Sequence, residues 1–115
     1  MSTEELEDRE FAVDIESIIK LDLIGLIQAR RNYGNSWRRR GGVGAFMMLA
    51  RKWDRIENLL KGKTFNYDIF EAMKIDHRDE GIIDDIRDLR RYLILVESVF
   101  IEQEAKVTDG ETAQG

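Results

Sequence analysis

Apolar residues recur three and four apart through three long stretches of this chain, the spacing of one buried face of an α-helix. In the last stretch, GIIDDIRDLRRYLILVESVF from Gly81 to Phe100, the row is Ile82, Ile86, Leu89, Leu93, Val96 and Phe100. Beside it runs a second row with the same rhythm, Asp85, Asp88, Tyr92, Leu95 and Val99, apolar in its C-terminal half and acidic in its N-terminal half. An ionised carboxylate among packed side chains is costly unless something cationic meets it. The acidic pair therefore predicts a partner: a divalent metal, a basic side chain from another helix, or solvent at the helix start.

The same periodicity divides the rest of the chain. A first helix is predicted after Ser2, whose hydroxyl can pair with Glu5 in a capping box, and it runs to about Arg31. Phe11, Ile15, Ile18 and Ala29 share its stripe, and Ile19, Leu23 and Ile27 thicken it; Asp22 interrupts it. Gly25 costs this helix about 1 kcal/mol relative to alanine and marks a close approach or a break. From Asn32 to about Gly44, NYGNSWRRRGGVG reads as a loop, with glycines able to supply positive φ. A second helix is predicted over about Ala45 to Leu60, stopped at Lys61-Gly62, with Phe46, Leu49, Trp53, Ile56 and Leu60 as its core face. A short helix in NYDIFEAMKI would be capped by Asn66, and the third long helix runs from near Asp79 to about Glu104.

The fold class is thus all-α: three long helices plus a short one, in a single helical domain over residues 1–104. Residues 105–115 have no pattern and are expected to be a disordered tail. Leu93, Ile94, Leu95 and Val96 make the third helix apolar nearly all round, which predicts a bundle completed by dimerisation, as a homodimer or a homotetramer.

Composition narrows the chemistry. The chain has 115 residues, no cysteine and no proline, so neither a disulfide framework nor a thiolate metal site is available. No apolar run is long enough to span a membrane or to form a signal peptide, and a cytoplasmic location is expected. A net charge of −5 argues against nucleic-acid binding by the whole surface, although Arg30, Arg31, Arg38, Arg39 and Arg40 form a run without an acid.

Three groups of residues could carry chemistry. On the third helix Asp84 and Asp88 are four apart, Asp85 and Asp88 three apart, and Glu80 lies one turn before Asp84, a set of hard oxygens that suits magnesium. The plain alternative is an acidic first turn favoured by the helix dipole and paired with Arg87, Arg90 and Arg91. On the second helix Asp54 and Glu57 repeat the three-residue spacing, so two antiparallel helices could hold metal between two acidic pairs; alternatively Glu57 pairs with Lys61 and Asp54 with Arg51. Lys52 and Arg55 interrupt a row of Ala45, Met48 and Leu59, either snorkelling beside the core or neutralising phosphate or the third-helix aspartates. In the loop, Tyr33 and Trp37 among the arginines could stack a base. His77 is a lone histidine with no role assigned. No nucleophile–base arrangement, Walker loop or dinucleotide glycine pattern is present.

The blocks RRNYGNSW, ARKWDRIENLL and EGIIDDIRDLRRY, in that order across residues 26–96, resemble the small phage and bacterial nucleotide-modification-associated domain. That domain is related to the MazG-like all-α nucleoside triphosphate pyrophosphatases. The resemblance implies a helical bundle completed by dimerisation, in the cytoplasm (the host's, if the chain is phage-encoded). It also implies Mg2+-dependent cleavage between the α and β phosphates of a (deoxy)nucleoside triphosphate. Carried over, the MazG-like acidic pairs fall on Asp54 with Glu57 and on Asp85 with Asp88, aspartate replacing glutamate at two of these positions and shortening their reach. In the modification-associated relatives the second helix instead features a lysine and an arginine, matched by Lys52 and Arg55, and the third helix acids four apart, matched by Glu80, Asp84 and Asp88. Both patterns are overlaid in this chain. They lead to two expectations: a magnesium-dependent nucleotide pyrophosphohydrolase, or a non-catalytic helical protein that binds nucleotides or a partner.

Overall fold

A computed structural model describes residues 1–75 and 81–114, with side chains in the last helix as far as Val107. The elements are α1 (Thr3–Tyr33), a 3-10 turn (Ser36–Arg38), α2 (Gly41–Leu60), α3 (Ile69–Ile75) and α4 (Ile82–Gln114). The fold class is all-α, with no strand among the described residues. The chain divides into two compact units, Met1–Ser36 and Trp37–Gly115, parting within the stretch that the sequence reads as a loop.

The first unit is α1. Ser2 caps it as its sequence predicts, its Oγ accepting from the Glu5 N–H at 3.1 Å. Gly25 neither breaks nor ends the helix, which stops where Gly34 turns to φ 61° and returns its N–H to the Arg30 carbonyl at 2.8 Å. Asp22 is buried, whereas Phe11, Ile15, Ile18, Ile19, Leu23 and Ile27 of the predicted core stripe are exposed. A lone helix has nothing of its own to bury such a stripe against.

In the second unit α2 packs chiefly on α4, with α3 covering one end. Ile56, Leu60, Ala72 and Ile82 are buried at its centre, and Leu59, Phe65, Ile69, Met73, Ile86 and Leu89 pack around them. Of the predicted α2 face, Ile56 and Leu60 are buried and Leu49 is half-buried, but its two aromatic residues are not covered. Phe46 and Trp53 are 66% and 55% exposed, and the row that meets α4 carries Ala45, Lys52, Ile56 and Leu59. Helix α2 also starts at Gly41 rather than Ala45, so GGVG forms its first turn despite poor propensity. A Cβ on Gly44 would stand 2.7 Å from the Arg40 Cβ, which accounts for glycine there.

Two further boundaries move. The cap of α3 is Asp68, not Asn66: one carboxylate oxygen accepts from the Phe70 and Glu71 N–H groups, each at 3.1 Å. Asn66 instead adopts positive φ, as does Tyr67, at 47° and 65°. Helix α4 continues to Gln114, past the end near Glu104 that the loss of apolar positions predicts; local hydrogen bonds and the absence of proline let a helix outrun its packing. Its predicted start at Asp79, like Glu80 and His77, lies outside the described residues. The apolar row of α4 is covered at Ile82, Ile86 and Leu89, but Leu93, Val96 and Phe100 are exposed. No described helix is long and apolar enough to cross a membrane.

Candidate functional site

Among the described residues of α4, Asp85 is the one carboxylate held out of water, its side chain 5% exposed. It finds its cation on the facing helix, where Arg55 Nε lies 3.1 Å from Asp85 Oδ1. One turn along, Lys52 Nζ donates to Asp88 Oδ2 at 3.0 Å. The order of the pairs, 55 with 85 and 52 with 88, shows that α2 and α4 run antiparallel. The i, i+3 spacing on each helix brings both rungs onto one seam. Within α4, Arg87 Nη1 donates to Asp84 Oδ1 at 2.9 Å.

These side chains line one open, polar cleft of about 420 Å³ together with Arg91. Four cationic groups (Lys52, Arg55, Arg87 and Arg91) face three carboxylates (Asp84, Asp85 and Asp88) there, so the cleft is locally cationic in a chain of negative net charge. No described buried side-chain nitrogen or oxygen lacks a hydrogen-bond partner. Lys52 is largely covered, its ammonium 5.9 Å from the centre of the Tyr92 ring, close enough for a cation–π attraction.

The remaining residues singled out in the sequence are placed as follows. Asp54 and Glu57 occupy exposed positions of α2 and are not among the residues lining this cleft. Glu57 accepts a hydrogen bond from the Trp53 indole at 3.0 Å. The acids of α2 and α4 therefore do not share the cleft; α2 contributes its cations instead. Among the described residues no group of three or more histidine, cysteine, aspartate or glutamate side chains is arranged to hold a metal. Tyr33 ends α1 and is exposed, in the other unit; Trp37 lines an apolar cavity farther along α2 and α4. Sequence periodicity named Lys52 and Arg55 but gave no sign of Tyr92 beneath Lys52. The signal available was their shared register, since an antiparallel pairing of Lys52 with Asp88 sets the lysine beside the next residue of that row.

The donor set suits a magnesium ion that arrives with phosphate. Magnesium is commonly held by one or two carboxylates, with water and substrate phosphate completing its shell, rather than by an all-protein cage. Asp84 and Asp88, four apart and both partly exposed in the cleft, offer that number. The chain matches no protein-family model, no curated protein and no solved structure.

Proposed function

We propose that the α2–α4 cleft binds the phosphate chain of a nucleoside triphosphate together with Mg2+, and that the protein is a magnesium-dependent nucleotide pyrophosphohydrolase. The observation that carries this reading is the interleaving of four cations with three carboxylates in one open cleft. Lys52 can exchange its Asp88 oxygen for a phosphate oxygen, while Arg55, which meets Asp85 through Nε, can offer phosphate its other guanidinium N–H donors. Asp84 and Asp88 would then turn from their basic partners to the metal, so no charge in the cleft is left unpaired. Asp85 stays with Arg55 and fixes the guanidinium against α4. Bound there, the magnesium would polarise the phosphoryl oxygens and acidify a water molecule. Asp54 and Glu57, the other half of the MazG-like pattern, take part in this reading only if a further chain brings them to the cleft.

A second reading is favoured by the burial of Asp85: the two rungs Arg55–Asp85 and Lys52–Asp88 act as a latch between helices in a non-catalytic protein. Calorimetric titration of a nucleoside triphosphate with and without Mg2+, alongside assay of released pyrophosphate, separates the two. The first reading expects magnesium-dependent binding that falls about 10- to 150-fold in Lys52→Ala, as loss of one charge-assisted hydrogen bond of about 1.5–3 kcal/mol implies. It also expects loss of the magnesium dependence in Asp84→Asn with Asp88→Asn. Binding that is indifferent to Lys52→Ala and to chelator would reject it.

A further inference from the structure

The seam between α2 and α4 does not end at the charged cleft. Continued past Lys52 and Asp88, the antiparallel seam runs along Leu49, Ala45 and Gly42 of α2 and past Tyr92 to Val96 and Val99 of α4. The character of the seam changes at Tyr92: beyond it lies a second cavity, also of about 420 Å³, with mainly apolar walls. Small residues open it, since Gly41, Gly42 and Ala45 present little or no side chain, and Trp37 and Phe46 supply aromatic faces. Arg38 and Gln103 give it a polar edge. Arg38 is held in place, its Nη1 donating to Glu102 Oε2 at 2.9 Å and its guanidinium 5.8 Å from the centre of the Trp37 ring.

We infer that this cavity is the ring subsite of the same ligand whose phosphates occupy the charged cleft, so that one nucleoside triphosphate spans both. The inference rests on the function proposed above. Its independent support is the match of chemistry and length. A mostly apolar cavity of this size with a few polar groups at one edge is what a planar heterocycle requires. From Asp88 to Val99 is eleven residues of helix, about 16 Å at about 1.5 Å per residue, on the order of an extended nucleoside triphosphate. The base would lie against Trp37 and Phe46, with Gln103 and Arg38 at its hydrogen-bonding edge. Lys52 sits at the junction, where its ammonium meets the phosphate nearest the sugar.

The test uses the full chain carrying Trp53→Phe, so that Trp37 is the remaining tryptophan of two. Trp53 lies outside both cavities. Three probes are titrated with Mg2+: tripolyphosphate, a nucleoside triphosphate and the matching nucleoside. The nucleoside triphosphate is expected to bind about tenfold or more tighter than tripolyphosphate, within the range that stacking one base on an aromatic side chain provides. It and the nucleoside, but not tripolyphosphate, are expected to quench Trp37 emission. Gly42→Leu fills the cavity: a Cβ at Gly42 meets nothing within 4 Å, and the exchange favours the helix, so the variant should fold. It should bring nucleoside triphosphate affinity down to that of tripolyphosphate and leave the latter unchanged. Equal affinities for the two probes in the unfilled protein, or an equal loss of both in Gly42→Leu, overturn the subsite and leave the charged cleft standing. If tripolyphosphate does not bind at all, the proposed function falls, and Trp37 quenching by the nucleoside then decides the subsite alone: quenching abolished by Gly42→Leu supports it, and no quenching overturns it.

Discussion

Removing Arg55 should cost more than neutralising the aspartate it faces, and the reason is the unequal burial of the two partners. The Asp85 side chain is 5% exposed and that of Arg55 50%. In Arg55→Ala the carboxylate stays among packed side chains without its cation. In Asp85→Asn the guanidinium is left with half its surface in water and the amide oxygen still able to accept. Unit charges about 4 Å apart interact by about 4 kcal/mol at an effective dielectric near 20, which water on the open side of Arg55 reduces. Breaking a fully buried pair costs about 3–5 kcal/mol and an exposed pair about 0.2–1 kcal/mol. This pair lies between them, so Arg55→Ala is expected to cost about 2 kcal/mol and Asp85→Asn about 1 kcal/mol. Urea unfolding of the two variants and of the double variant closes a cycle whose coupling term should be about 1–2 kcal/mol. A coupling below about 0.5 kcal/mol, or a larger cost for Asp85→Asn than for Arg55→Ala, would refute the account of Asp85 as a buried carboxylate dependent on its partner from α2.

Two further outcomes follow from single features. The hydrogen bond from Arg38, with help from Lys106, holds the Glu102 carboxyl below its ordinary value of 4.5. Its stabilising contact is therefore present above that value and is lost as pH falls through the lowered one; a carbon-13 titration of Glu102 should show a depressed midpoint that Arg38→Ala raises, and an unchanged midpoint in that variant would contradict the pairing. Leu93, Ile94 and Ile101 are exposed on α4, and the expected homodimer or tetramer would cover them. Light scattering should then report more than one chain per particle for the protein and one for Ile94→Glu, whereas a protein that is already monomeric at micromolar concentration removes that expectation.

The class of the fold and the odd residues of its site were both readable from periodicity, because an acid on an apolar row is visible without coordinates. Asp85 stood on such a row, and Lys52 with Arg55 stood on another, with Ala45, Met48 and Leu59. What periodicity could not supply was which two rows face each other. Trp53 and Phe46 are the bulkiest apolar residues of α2, so hydrophobicity favours their face as core. The structure turns Phe46, Trp53, Asp54 and Glu57 to solvent while Ile56 and Leu60 of the same predicted face stay buried, because the pairing of Lys52 and Arg55 with Asp88 and Asp85 rotates α2 part of the way round. The cap of α3 was misplaced, unlike that of α1, because Asn66 and Asp68 are both good caps and the choice between them depended on positive φ at Asn66 and Tyr67. The apolar cavity was invisible because Gly41, Gly42 and Ala45 leave no mark on a hydrophobic pattern; they matter through the volume they omit.

The rotation of α2 also decides how metal would be linked to the rest of the molecule. Had Asp54 and Glu57 faced Asp85 and Asp88, four carboxylates would have met between two helices, and the packing of α2 on α4 would have depended on a cation to offset them. With Lys52 and Arg55 in that place, the charge balance of the seam is met by the chain itself, and a metal has to displace an existing ion pair to reach Asp88 or Asp84. Magnesium alone gains little from that exchange, since the ammonium or guanidinium it displaces is left without a counter-charge. Phosphate alone faces the mirror problem, as it would strand an aspartate. Together each would supply what the other removes, so under the proposed function the two binding events would be tied to one another more tightly than by a preformed metal cage.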